Sequence, residues 1–114
     1  MSGDLPRLDR ALTLETPVRS PDGAGGFTVT WTALGTHWAE LRPGTGRERS
    51  ARAATVSRSP YRIIVRGAPV GSAARPQPDQ RFREGPRIFA ILAVTEADPA
   101  GRYLMCHAQE ETVA

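Results

Sequence analysis

The sequence contains no lysine and no asparagine, and all 15 of its basic side chains are arginine. Both missing residues use A/T-rich codons, so their absence points to a GC-rich genome before it points to any binding role. A single cysteine, Cys106, rules out an internal disulfide and with it the disulfide-stapled scaffolds. No apolar run approaches the roughly 18 residues of a membrane span. Residues 1–10 carry Asp4, Arg7, Asp9 and Arg10 and lack the apolar heart of a signal peptide. The expectation is a soluble chain with no membrane role that begins in the cytoplasm. There is no repeat at solenoid periods.

What remains is 114 residues and 12.3 kDa with a formal net charge of +3. That is one domain, able to bury roughly 65% of its unfolded surface and to fold alone with little to spare. It leaves no room for separate cofactor and substrate domains. With 39% hydrophobic and 24% charged residues the chain is ordinary for a folded protein. Ten prolines and eleven glycines argue for short elements and many turns.

Residues 1–10 read as a polar lead-in, 11–110 as a single domain, and 111–114 as a frayed tail. Leu12-Thr13-Leu14-Glu15-Thr16 alternates apolar and polar, the period of a half-buried strand. Pro17 to Gly26 is a turn cluster. Phe27, Val29, Trp31 and Ala33 then fall on one face of a strand, with Thr28, Thr30 and Thr32 on the other. Gly35 is expected to break that strand, and His37 to Arg42 to form a third. Residues 43–60 differ in character: Arg47, Arg49, Arg52 and Arg58 with almost no large apolar side chain. Thr45 and Glu48 match a capping box, and Glu48 and Arg52 an i,i+4 pair, predicting a short protruding helix over about 46–55. Tyr61 to Arg66 reads as a strand. Residues 67–78 form a Gly/Pro/Ala-rich loop that is expected to be mobile. Gln80 to Glu84 is a short strand with Phe82 inward, Arg87 to Thr95 a central strand buried on both faces, and Arg102 to Gln109 the last. The pattern predicts a mainly β fold, a small antiparallel barrel of about six or seven strands with one short helix or loop insertion.

No constellation for catalysis appears. Cys106 and His107 are strand neighbours and point to opposite faces, so they do not form a nucleophile–base pair. Metal-ligand spacings and phosphate-loop motifs are absent. The arginines of 43–60 suit contact with phosphates, and equally a solvated loop whose arginines follow codon usage. Trp31, Trp38, Tyr61 and Phe89 are candidates for the core or for subunit contacts. The residues alone therefore point to binding or structural work rather than to an enzyme.

Taken in order, several segments resemble the head–tail joining family of long-tailed phages, also described as head-completion or stopper proteins. They are Leu12-Thr13-Leu14; Pro21-Asp22-Gly23-Ala24-Gly25-Gly26-Phe27; Thr30-Trp31; Trp38-Ala39-Glu40-Leu41-Arg42-Pro43; Gly46-Arg47-Glu48; Tyr61-Arg62-Ile63-Ile64-Val65-Arg66; and Gly85-Pro86-Arg87-Ile88-Phe89-Ala90-Ile91 with Val94. The resemblance runs from about Leu8 to Glu110. It departs at Gly67-Ala68-Pro69, where the family more often continues with an aromatic and a basic residue. It implies a barrel that assembles with itself, sixfold or twelvefold, as a ring in the virion neck. The implied neighbours are the portal or adaptor ring on the head side and the tail terminator or tail tube on the other. The ring would close the filled head, hold the packaged double-stranded DNA without reading its sequence, and dock the tail. No cofactor is implied. In some relatives the loop after the third strand reaches the channel; here it maps to 43–60, which makes Arg47, Arg49, Arg52 and Arg58 candidate DNA-facing residues. The GC-rich composition also fits a prophage or a phage-derived gene transfer agent. Two alternatives stand beside this reading: another neck or tail component such as a tail terminator, and a small barrel that binds single-stranded nucleic acid through exposed aromatics and arginines.

Overall fold

The computed structural model describes residues 5–44, 48–49 and 56–113. Its elements are seven strands: β1 (Arg10–Pro21), β2 (Phe27–Pro43), β3 (Glu48–Arg49), β4 (Val56–Arg66), β5 (Arg81–Glu84), β6 (Arg87–Glu96) and β7 (Tyr103–Val113). Every pairing is antiparallel, in the order β2-β1-β5-β6-β7-β4-β3. A further ladder, Ala39 opposite Val65 through Pro43 opposite Tyr61, joins β2 to β4 and closes six strands into a ring. A closed sheet has no edges along its closed part, which removes the usual hazard of open ladders.

Alternation along each strand builds the core. Leu12 and Leu14, Ile63 and Val65, Phe89 and Ile91, and Leu104 and Cys106 are spaced by two and all buried, with Phe82 and Ala39 between them. Each large apolar side chain withdrawn from water contributes about 1.5–3 kcal/mol. β6 follows the same rule: Phe89 and Ile91 are buried while Ala90 and Leu92 face solvent, so this strand is buried on one face and not on both.

Two expectations about the first third of the chain are corrected. Residues 11–42 form two long strands, not three: β1 runs on to Pro21, and β2 passes through Gly35 without ending. Gly35 marks a bulge instead. Leu14 faces Gly35 but Glu15 faces Ala33, leaving Leu34 as the extra residue, and Gly35 takes φ +137°. The bulge reverses which side of β2 faces in. Beyond it His37, Ala39 and Leu41 lie on the inner side; before it Phe27, Val29, Trp31 and Ala33 share the outer side with Pro21, Arg19, Pro17 and Glu15. A slip of one residue exchanges the faces of everything upstream.

β1 pairs with β5 only from Thr13 to Glu15, so residues 16–21 and 27–32 continue beyond the barrel as a two-stranded arm. Its tip is set by Asp22, whose Oδ1 accepts from the N–H groups of Ala24 (2.8 Å) and Gly26 (3.0 Å), while Gly23 and Gly25 supply positive φ. Those two bonds hold the Asp22 carboxyl below the usual carboxylate range. A second ribbon leaves the opposite end of the barrel, where Val56–Pro60 pairs with Gln109–Val113 and Glu48–Arg49 pairs with Ser57–Arg58. The last strand thus reaches Val113 rather than fraying at Glu110. Glu48 and Arg49 are strand residues, which overturns the expected helix at those two positions; the rest of 46–55 lies outside the described residues. The molecule measures 53 × 34 × 23 Å.

A loop lies at one end of the barrel and an arginine cluster at the other. At the arm end, residues 67–80 cross the opening with Pro76 fully buried and Gln80 Nε2 reaching Thr16 Oγ1 (3.4 Å). The loop is tied by Ser72 and Arg75 N–H groups donating to Pro69 and Ser72 carbonyls, and by Arg75 Nη1 donating to the Ala68 carbonyl (3.0 Å). These bonds fold the segment into a cap over that end. At the other end Arg87 lies over the rings of Tyr61 and Phe89 and binds Glu110 through two bonds of 2.8 and 2.9 Å.

Candidate functional site

The predicted site residues separate into buried and surface groups. Phe89 is fully buried and meets the edge of Tyr61 at 5.3 Å between centroids. Tyr61 is half-buried, and its hydroxyl accepts from Arg87 Nη2 at 3.2 Å. The tryptophans are not in the core: Trp31 is 36% exposed and Trp38 57%. Both lie on the outer face of β2, Trp31 opposite Pro17 and Trp38 opposite Ala11. Seven residues apart on a strand, they stand roughly 23 Å from each other along it. Trp31 is held from one side, with the Arg81 guanidinium 4.0 Å from its ring centroid.

The four arginines of 43–60 are not brought together among the described residues. Arg58 is bound by Glu111 at 2.9 Å across the β4–β7 ladder. Arg49 sits in β3 opposite Ser57. Arg47 and Arg52 lie outside the described residues. The exposed Arg62 stands in a cross-strand row between Arg42 and His107, and the exposed Arg66 lies opposite Tyr103.

Sequence reading missed two charge networks. Glu15, nearly buried, receives Arg81 at 2.6 Å and Arg83 at 3.2 Å, and Arg81 in turn faces Trp31. This clasp lies where the arm leaves the barrel and fixes its base. At the far end Arg10 binds Glu84 (2.5 and 2.7 Å) and Arg87 binds Glu110. The Arg10 guanidinium holds the Glu84 carboxyl below its ordinary range, and the Glu110 carboxylate raises Arg87. The partners are 23 to 74 residues apart, so no local spacing reveals them. Only Arg10, Arg81, Glu84 and Arg87 sit at strand ends; Glu15 and Glu110 lie within β1 and β7.

The chemistry of the remaining candidates is limited. Cys106 is buried, and burial pushes its thiol up to about 12. A thiol held protonated is a poor nucleophile. Alkylation of the folded protein by iodoacetamide at pH 8 is expected to run at least about a hundredfold slower than after denaturation. Equal rates would place Cys106 in solvent. His107 faces the other side of β7, with Nε2 3.4 Å from Thr95 Oγ1. His37 lies over Phe82 (5.9 Å), and burial lowers its pKa. Folding therefore favours neutral His37, so its contribution is present above the unfolded value of about 6.5 and is lost as pH falls below it. Replacing His37 with Gln is expected to flatten the loss of stability as pH falls below about 6.5, read from urea midpoints. Among the described residues no group of three or more His, Cys, Asp or Glu side chains is placed to hold a metal ion.

The described surface also carries a row of exposed apolar side chains. The arm presents Phe27 (61% exposed) and Val29 (50%) beside Trp31. Large apolar side chains left in a row at a surface mark contacts with other macromolecules.

Comparison with known proteins agrees with this picture. A solved chain described as the virion of a native gene transfer agent particle superposes with a TM-score of 0.87 at 55% identity, covering 96% of this chain and all of that one. Protein SF1141 from Shigella flexneri 2a, known from a solution structure, superposes with a TM-score of 0.60 at 20% identity and shares the fold, with 96% of each chain covered. None of the curated proteins compared matches the chain. The phage head completion protein profile matches residues 4–111, nearly the whole sequence, and the chain therefore belongs to the phage head completion protein family.

Proposed function

We propose that this protein is a stopper-type subunit of the virion neck. It would close the DNA-filled head as part of a ring between the portal or adaptor complex and the tail. The observation that carries the reading is the full-length likeness, at 55% identity, to a chain of a gene transfer agent virion. The architecture supports it. Ribbons leave the barrel in opposite directions. Such a shape suits a subunit that must touch one partner above, one below and a copy of itself at each side. Assembly would begin in the host cytoplasm.

Quantitative mass spectrometry of DNA-containing particles from the source culture tests this. The chain is expected at a small, fixed fraction of the major capsid protein. Particles that form while the chain stays wholly soluble would refute the neck assignment.

The 43–60 segment is assigned to the channel side, where arginines hold phosphates electrostatically and Glu48 tempers the grip. Replacing Arg47, Arg49 and Arg52 together with Ser is expected to change folding stability by less than about 0.5 kcal/mol and to lower DNA retention in particles. Unchanged retention removes the gating role and leaves the neck assignment standing.

The exposure of both tryptophans favours one rival, a barrel that binds single-stranded nucleic acid. Against it, Arg81 occupies one face of Trp31, and Trp38 stands far along the strand. Stacking platforms need open, neighbouring rings. The free protein is expected to bind oligonucleotides weakly; tight, salt-sensitive binding lost in Trp38→Ala would put the rival first.

A further inference from the structure

We infer that the outer wall formed by β2, β4 and β7 lies along the phosphate backbone of duplex DNA, with Arg62 and Arg66 as its contact residues and Arg42 beside them. The inference rests on the neck reading and names the wall that meets the DNA.

The six strands of the ring divide into two walls, β2–β4–β7 and β1–β5–β6. On the second, the outward Arg81 and Arg83 are both bound by Glu15, so the fold neutralises much of their charge itself. The first wall differs. Ile63 and Val65 are buried, and alternation turns Arg62 and Arg66 outward on β4, about 13 Å apart. Both are exposed, and neither has a carboxylate within salt-bridge distance among the described residues. Arg58 continues the same row and is bound by Glu111.

The place of Arg62 is unfavourable within the chain alone. It stands directly opposite Arg42 on one side and His107 on the other, so no carboxylate faces it across either ladder. Like charges directly opposite each other destabilise a sheet. Glu40 answers Arg42, at 2.5 Å from its Nε, and leaves Arg62 without a partner. An anion outside the chain supplies what the sheet does not.

The shape of the wall chooses that anion. Ile64 lies between the two arginines on the outer face, opposite Glu40 and Met105, yet is only 2% exposed. The surface between the charges is therefore filled and lacks the exposed apolar anchor that a protein partner covers. The exposed Trp38 stands at its margin, toward β1 and opposite Ala11. An acidic protein would also need carboxylates set at the spacing of these arginines. Duplex DNA carries one negative charge per about 1.7 Å of its axis, so arginines about 13 Å apart meet phosphates in any register, without reading sequence. The sheet continues in the same sense. β3 adds to β4 with Arg49 opposite Ser57, so the wall runs into the segment assigned to the channel side.

Two unpaired arginines give a weak grip per copy, which a ring of copies around one duplex multiplies. Binding of a DNA duplex by the purified full chain, followed by fluorescence anisotropy at increasing salt, tests the wall. Arg62→Thr with Arg66→Thr removes both contacts and keeps strand-forming residues in β4. The pair is expected to weaken binding at least about threefold at about 50 mM salt, and to reduce the slope of log affinity against log salt by about two. Arg7→Thr with Arg19→Thr makes the same change of net charge in the lead-in and the arm, and is expected to leave the slope unchanged. Equal losses in the two pairs would mean that net charge alone attracts the duplex, and would overturn the proposal. A wild-type chain that binds no duplex at low salt would overturn it too. The urea midpoint of Arg62→Thr should not fall, because the substitution removes a like-charge pair.

In particles, the Arg62–Arg66 pair of substitutions is expected to leave incorporation normal and to lower retained DNA at least about threefold. Reduced incorporation with unchanged DNA per particle would mean that the wall meets a protein, overturning the proposal and leaving the neck assignment standing. Particles that lack the wild-type chain would remove the neck reading, a failure of which the duplex measurement is independent.

Discussion

Phe82→Ala is expected to lower folding stability by about 3–5 kcal/mol, the largest loss of any single substitution considered. Phe82 is fully buried on a strand only four residues long. That strand links β1 to β6, pairing with Leu14 on one side and Phe89 on the other. The ring also takes the edge of His37. Truncation removes the apolar transfer term and leaves a cavity that the stiff surrounding ladders cannot collapse into. A domain of this size has on the order of 5–15 kcal/mol in total, so the variant should populate unfolded chain at 37 °C. In urea the midpoint should fall with an unchanged slope. A loss under about 1 kcal/mol would mean that Phe82 is not in the core.

Gly67→Ala is the second large effect, expected at about 1–3 kcal/mol from a single added methyl. A Cβ at this position would stand 2.3 Å from the Gly101 carbonyl oxygen and 3.2 Å from that of Arg102. Both obstacles are backbone, so nothing rotates away. The Gly67 N–H donates to Arg102 O at 2.7 Å, and this bond ties the end of β4 to the start of β7 just where the capping loop begins. Relieving the clash would pull that bond apart. Gly26→Ala is the control. Its Cβ would meet Asp22 Oδ2 at 2.8 Å, but that side chain can turn by giving up its turn bonds at the exposed arm tip, away from the barrel. Urea midpoints of the two variants should differ clearly; equal midpoints would show that the β4–β7 junction yields.

The departure from the family pattern falls at this same Gly67-Ala68-Pro69. The close approach of Gly101 to Gly67 explains why a side chain is not accommodated there in this chain. Further along the same loop Pro76 is buried, and Ile91 N–H donates to the Gln80 carbonyl at 3.0 Å.

Much of the fold is legible from residue order. Alternation in Leu12–Leu14, Ile63–Val65 and Phe89–Ile91 marks strands and their inner faces, because a pleated strand turns successive side chains to opposite sides. The Asp22–Gly26 turn is legible for the same local reason: Asp bonds its own following N–H groups and glycine accepts positive φ. The family, too, is read from ordered local segments. Cys106 and His107 are correctly separated by alternation alone.

The candidate assembly surface was not legible, because a bulge decides it. The row Phe27, Val29, Trp31 looks like a core face by its period. One extra residue at Leu34 carries it outside. Whether a strand absorbs such a residue as a bulge or ends there depends on what its partner strand offers, and β1 offers pairing as far as Pro21. The ion pairs Glu15–Arg81, Arg10–Glu84 and Arg87–Glu110 are likewise cross-strand, set by register between distant segments. The helix expected over 46–55 shows the converse. Capping and i,i+4 signals are local preferences worth a few tenths of a kcal/mol to about 1. At Glu48 and Arg49 a ladder with β4 overrides them. Local chemistry by itself determined the inner faces of the core strands and the Asp22–Gly26 turn. Closure of the sheet, the outward turn of the apolar row and the pairing of charges were decided only by the tertiary structure, because each depends on which distant backbone lies alongside.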